Sequence, residues 1–154
     1  MPIFRYFLFC IKVVLTMAGL YFLLSCSTSP PLTKIKNVQI SAMINSNQNT
    51  ATAIDLVFIY DSNALLLLPK TGPEWFEKKN AIINGLANSV DVVSLQVPPI
   101  TLMDVVLPTR HGKAIAVYSF ANYLSVDGQS FGNLTPYVTV QIVLTPTNVL
   151  YKGS

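Results

Sequence analysis

Cysteine is nearly missing from this chain of 154 residues: Cys10 and Cys26 are its only two, both close to the amino terminus. Beyond residue 26 no disulfide can form, so whatever folds there is held by its core alone. Histidine is scarcer. His111 stands alone in the turn Pro108-Thr-Arg-His-Gly112, with no second metal ligand and no nucleophile near it in sequence. Charge is thin as well, at 11% of residues. After residue 25, eight Lys and Arg face seven Asp and Glu, a net of +1. That surplus gives no footprint for nucleic acid, nor for an anionic membrane surface. No glycine-rich phosphate loop and no Ser–His–Asp order is present. Glu74 and Glu77 sit one helical turn apart, but capping and solvation account for them. Asp55 and Asp61 flank a strand rather than converge. Nothing here is the equipment of an enzyme, and no cofactor or metal is implied.

What the chain does have begins at its amino terminus. Arg5 and Lys12 precede the apolar run Val13–Leu24, the length of a signal-peptide core. Leu23-Leu24-Ser25-Cys26 then looks like a bacterial lipobox, in which the Cys26 thiol is alkylated by a diacylglycerol and the signal removed before it. Two or three acyl chains, at roughly 0.8 kcal/mol per buried CH2, make a stable anchor where one is marginal. An uncleaved membrane helix from Phe7 to Leu24 is the alternative, but it would bury Lys12 in the bilayer. The expected division is a signal peptide over 1–25, a lipidated cysteine with a Ser/Pro tether over 26–33, and one domain over 34–154. Ser27, rather than aspartate, follows the cysteine, which favours the outer membrane.

The domain reads as β. Val38, Ile40, Ala42 and Ile44 alternate with polar neighbours, and six polar residues, Asn45–Thr50, end that first strand. A second strand spans about Ala53–Tyr60, with Asp55 on a face expected to be partly solvated and Val57 and Ile59 pointing to burial of both faces later. The link between them has the composition of a plain hairpin connection or of a displayed loop. Thr71-Gly-Pro-Glu74 opens the one clear helix, with Trp75, Phe76, Lys79, Ile82, Ile83 and Leu86 on one face and Gly85 or Asn88 to end it. Trp75 and Phe76 are expected in the core more than on a binding face. Leu65–Leu68 has no usable period and reads as the wall under this helix. Further strands are expected at Val93–Val97, at Ile100–Leu107 with a bulge near Met103-Asp104, within Lys113–Leu124, at Tyr137–Leu144 and at Val149–Tyr151. Val126–Asn133 reads as a loop. Roughly seven strands and one inserted helix predict a β-sandwich.

This order of features resembles the type VI secretion lipoproteins, the TssJ (SciN) family. It rests on the lipobox, the strand Val38-Gln-Ile-Ser-Ala42, the Asn-rich loop, Val57-Phe-Ile-Tyr60, the aromatic pair in Glu74-Trp-Phe76, and Ala114-Ile-Ala-Val-Tyr-Ser-Phe120. The family's usual Arg-Pro-Gly segment is absent, and Val97-Pro-Pro-Ile100 stands in its place. The resemblance implies a mainly β, transthyretin-like two-sheet sandwich with a short helical insertion. It implies a location on the inner leaflet of the outer membrane, facing the periplasm. It also implies a partner: the periplasmic C-terminal domain of an inner-membrane TssM-like protein in the type VI secretion membrane complex. The implied contact is the loop formed by Asn45, Ser46, Asn47, Gln48, Asn49, Thr50, Ala51 and Thr52, flanked by Met43 and Ile44. As a surface loop it is expected to accept Gly/Ser in place of Asn47-Gln-Asn49 with little loss of stability. The alternative is a pilotin or assembly-factor lipoprotein that escorts another envelope protein.

Overall fold

In a computed structural model that describes residues 30–154, alternation builds the first sheet. The expected signal peptide and Cys26 lie outside the described residues. Val38, Ile40 and Ala42 are buried on one face of β1 (Asn37–Ala42), and Asn37, Gln39 and Ser41 face outward. The strand stops there. Ile44, expected to continue the apolar face, is 66% exposed.

The link after β1 is not a hairpin. β2 (Thr52–Ile59) belongs to a different sheet, so the segment between them carries the chain across the sandwich. The other strands are β3 (Val90–Val97), β4 (Thr101–Asp104), β5 (Ala116–Ala121), β6 (Gly132–Asn133), β7 (Thr139–Leu144) and β8 (Val149–Gly153). One sheet has the order β4-β1-β7-β8, with β1 and β7 parallel, and the other β3-β2-β5-β6. Two four-stranded sheets face to face are the expected sandwich, with one short strand, β6, found where a loop was expected.

β2 is buried on both faces, for two different reasons. Ile54, Leu56 and Phe58 enter the core between the sheets, beside Val38, Ile40, Val140, Ile142 and Leu144. Val57 and Ile59 face outward, into a second cluster with Trp75 and Phe120. A helix covers that cluster. It is α2 (Gly72–Leu86), preceded by the single turn α1 (Ser62–Leu65), which accounts for part of the Leu65–Leu68 run. Thr71 Oγ1 accepts from the Glu74 N–H at 3.4 Å and Pro73 sits in the first turn, so the helix begins as its sequence indicates. It ends after Leu86, where Ala87 turns to φ 30°, rather than at Gly85 or Asn88. A side chain at Gly72 would place its Cβ 1.9 Å from the Ala121 carbonyl oxygen, so only glycine lets the helix start this close to β5.

Asp55 departs from the expected solvated face. It is 1% exposed, and its Oδ2 accepts from Trp75 Nε1 at 2.8 Å and from Lys79 Nζ at 3.0 Å. A carboxylate on the helix-facing side of β2 is tolerated because the helix supplies both donors. The expected strand Ile100–Leu107 shrinks to four residues. Its register against β1 is unbroken, from Gln39 opposite Asp104 to Ala42 opposite Thr101, so the shift of phase marks the strand's end and not a bulge.

All strand connections fall at two poles. β1 begins, and β2, β4 and β8 end, at the pole where the described chain starts; Thr33 is bound there by its N–H to the Ala114 carbonyl at 2.7 Å. At this tether pole Arg110 holds Asp91 with two bonds of 2.8 and 2.9 Å, stacks 3.8 Å over the Tyr60 ring, and keeps the Asp91 carboxyl below the usual carboxylate range. The opposite, far pole carries the β1–β2, β3–β4, β5–β6 and β7–β8 connections. Six residues of strand separate the two poles by about 20 Å.

Candidate functional site

Four asparagine and glutamine residues set the geometry of the far pole. Asn45, Asn47, Gln48 and Asn49 take φ values of 63°, 47°, 57° and 62°, so Asn47–Asn49 winds as a left-handed turn. That hand is disfavoured for L-residues by roughly 1–2 kcal/mol each, and asparagine tolerates it best. Ile100, on the neighbouring β3–β4 connection, also takes a positive φ of 60°. For a β-branched residue this is strained backbone. Five of the six positive-φ residues other than glycine among the described residues lie at this one pole; the sixth is Ala87. Such strain persists only where surrounding contacts impose it, and it gathers at functional loops.

The contacts that impose it centre on Asn47, which is 2% exposed. Its Oδ1 accepts from the Leu124 N–H at 2.8 Å and its Nδ2 donates to the Asn122 carbonyl at 3.3 Å. The backbone N–H groups of Asn47 and Gln48 donate to the carbonyls of Thr145 and Pro146 at 3.0 and 3.2 Å. Tyr123 completes the knot by donating its hydroxyl to the Thr145 carbonyl at 2.7 Å; burial pushes that hydroxyl's pKa up to about 12. Three connections are thereby sewn into one surface.

The eight residues expected to meet a partner divide accordingly. Asn45, Gln48, Asn49, Thr50 and Ala51 are exposed, whereas Ser46, Asn47 and Thr52 are buried. The buried three are therefore unavailable for direct contact in this conformation, and Asn47 is a clip holding the loop's shape. This corrects the expectation that Asn47-Gln-Asn49 can be exchanged with little loss of stability.

Around the exposed amides stands an apolar rim. Met43 and Ile44 lead into the turn, Ile100 lies across from Met43 one step beyond the Ala42–Thr101 pair, and Leu124 sits against Asn47. All are at least 48% exposed, as is Val126 at 78%. The four connections contain no lysine or arginine and a single acidic residue, Asp127. An apolar rim with few charges and a rigid backbone is the composition of a protein-contact surface.

Elsewhere chemistry is sparse. Among the described residues no group of three His, Cys, Asp or Glu is placed to hold a metal, and no helix is long and apolar enough to cross a membrane. His111 turns its Nδ1 to the Pro108 carbonyl at 2.9 Å. A groove of about 700 Å³ on the outer face of the first sheet is lined by Gln39, Asp104, Gln141 and Lys152, linked side chain to side chain from Asp104 through Gln39 to Gln141.

No family model matches the chain, and no curated protein matches it significantly. Solved structures do. The type VI secretion lipoprotein TssJ1 from Pseudomonas aeruginosa is 12% identical, with a TM-score of 0.59 over 80% of this chain and 98% of that one. Serratia marcescens Lip, a membrane-bound component of the type VI secretion system, is 13% identical, with a TM-score of 0.52 over 77% and 95%. A chain in the structure of the type VI protein TssM C-terminal domain from EAEC is 14% identical, with a TM-score of 0.50 over 75% and 98%. Structural similarity over nearly the whole of those chains establishes the architecture despite the low identity: this chain has the fold of the type VI secretion lipoproteins.

Proposed function

We propose that the protein is a lipid-anchored component of a type VI secretion membrane complex. In this reading it is held by Cys26 at the inner leaflet of the outer membrane, and its far pole grips the periplasmic domain of a TssM-like inner-membrane protein. The observation that carries the reading is the placement of the two ends. The chain leaves the sandwich toward Cys26 at one pole, and the strained Asn45–Ala51 loop with its apolar rim is displayed at the other, about 20 Å away. A body so built can hold a membrane at one end and reach across the periplasm with the other. The shared fold, and the description of the matched structures as type VI components, support the assignment of the system. The role is mechanical, not catalytic. Residues 1–25 serve as the signal peptide and 26–33 as the anchored tether, although Thr33 already belongs to the folded body.

Exposed members of the loop, Asn45, Gln48 and Asn49, offer amides on a backbone that cannot relax, so little order has to be imposed on binding. Met43, Ile44 and Leu124 supply the apolar area from which most of the affinity comes. The anchor is tested in the cell. Wild type fed a radioactive fatty acid should carry label at its amino terminus and sediment with membranes. Cys26→Ser should carry none and leave the secretion complex unassembled, with the domain folded. Unlabelled wild type would end the lipoprotein reading.

A further inference from the structure

The net charge of +1 conceals a polarity that only the fold reveals. Four of the eight cationic residues beyond residue 25, namely Lys34, Lys36, Arg110 and Lys113, lie at the tether pole, whereas beside the four connections of the far pole stands Lys70 alone, its carbonyl accepting from the Phe131 N–H. They are brought together by backbone pairing. Thr33 donates to the Ala114 carbonyl, Lys36 to the Val138 carbonyl and Lys113 to the Arg110 carbonyl, so the segments 33–36 and 110–114 lie side by side. A groove of about 400 Å³ runs between them, lined by Lys34, Lys36 and His111 among others. Three carboxylates, Asp61, Asp91 and Asp104, are at the same end, and Asp104 accepts from Gln39 Nε2 at 3.0 Å. Asp91 is neutralised by Arg110, and Asp61 is turned to the N–H of Asn63 at the start of α1. Lys34, Lys36 and Lys113 are exposed and form no salt bridge. Two apolar side chains project among them. Leu32, 55% exposed, immediately precedes Thr33, which is bound to Ala114; Val106, 87% exposed, follows Val105, whose N–H is bound to Val38 at the start of β1.

We propose that this pole is a membrane-apposed face, whose three free lysines bind anionic phospholipid headgroups while Leu32 and Val106 enter the interface. The occupant follows from the chain itself. The proposal rests on the lipid anchor of the preceding reading: only residues 27–32 separate Cys26 from the bound Thr33, a span of at most about 25 Å. The pole therefore stays near the headgroups whatever the tether does. Lysine ammoniums at that distance are drawn to anionic lipid, and exposed apolar side chains beside them add the interfacial burial that fixes the docked pose. The consequence is orientation. The sandwich stands on its basic pole with the far pole directed away from the membrane, so the partner-gripping loop is presented rather than left to swing.

The test has two parts, chosen so that the anchor and the face can fail separately. Every strand and both core clusters of the described residues lie within 33–154, so the chain from Ser27 onward keeps that whole core and can be floated with vesicles without any anchor. It should bind phosphatidylglycerol vesicles at low salt and not phosphatidylcholine vesicles. With Lys34→Gln, Lys36→Gln and Lys113→Gln combined, binding should fall about a hundredfold, roughly fivefold for each lysine. Binding that ignores lipid charge, or survives the triple substitution, overturns the proposal whether or not Cys26 is acylated. The second part uses the mature lipidated protein, whose amino-terminal peptide is first weighed for its acyl chains; their absence overturns the anchor and leaves the flotation result standing. A fluorophore at Thr109→Cys should be quenched by headgroup-labelled lipid, and one at Thr147→Cys at the far pole should not. Equal quenching at both positions means that the domain tumbles on its tether, and contradicts the oriented face.

Discussion

Trp75→Ala should destabilise the domain by roughly 3–5 kcal/mol, the range for truncating a buried tryptophan, and is expected to lower the thermal midpoint by well over ten degrees. Two losses combine. The indole is fully buried and stacked on Phe120 with ring centres 4.8 Å apart, so its removal leaves a large void between α2 and the second sheet. Its Nε1 also donates to Asp55, a carboxylate 1% exposed, whose other donor is Lys79. Without the indole a buried charge keeps only half of its hydrogen bonding. Trp75→Phe separates the terms. It keeps most of the packing and loses the donor, and should cost about 1–3 kcal/mol. Melts of the two variants check the division; equal costs would mean that the packing contributes nothing, and a Trp75→Phe variant as stable as wild type would mean that the hydrogen bond contributes nothing.

A second large effect is expected at Asn47, where the sequence suggests indifference. Asn47→Ala removes both side-chain bonds, leaving the Leu124 N–H and the Asn122 carbonyl without their partner, and places a less tolerant residue at φ 47°. The loss should reach about 2–4 kcal/mol, counting one or two unmade buried bonds and the left-handed penalty. Gln48→Ala keeps the same handedness at an exposed site and should cost no more than about 1–2 kcal/mol. Chemical denaturation of the pair checks the contrast. Near-equal stabilities would show that the turn is held by its backbone bonds to Thr145 and Pro146 alone. For binding studies the implication is practical: a Gly/Ser exchange across Asn47-Gln-Asn49 would confound lost affinity with lost structure.

The sandwich was legible because its evidence is local. Alternation in Val38-Gln-Ile-Ser-Ala42 and in Val140-Gln-Ile-Val-Leu144, and the Thr71-Gly-Pro-Glu74 start of the helix, each dictate an element without reference to the rest. The helical face was legible too, with Trp75 in the core. What was hidden depends on partners distant in sequence. Asp55 reads as a solvated residue because nothing near it announces that Trp75 and Lys79 will arrive from a helix twenty residues on. The β1–β2 link reads as a hairpin until β7 pairs beside β1 and sends β2 to the other sheet. At the far pole the local signal is present. Asn45, Asn47 and Asn49 within five residues are the composition of a left-handed turn. The clip role of Asn47, by contrast, depends on Leu124, 77 positions away. The basic pole is hidden in the same manner, since Lys34, Lys36 and Lys113 become neighbours only through the Thr33–Ala114 pairing.

The central claim is that the far pole grips the periplasmic domain of a TssM-like protein, and titration calorimetry of that domain against this one tests it most directly. Three proteins are needed: wild type, Ile44→Asp at the exposed rim, and Lys152→Ala on the outer face of the first sheet as control. Ile44 is 66% exposed and outside the core, so its substitution should leave the melting curve unchanged. Wild type and Lys152→Ala should bind alike. Ile44→Asp should bind at least about thirtyfold more weakly, the effect of losing an interface anchor of roughly 2 kcal/mol. Absence of binding by the wild type, or equal affinity for wild type and Ile44→Asp, would contradict it.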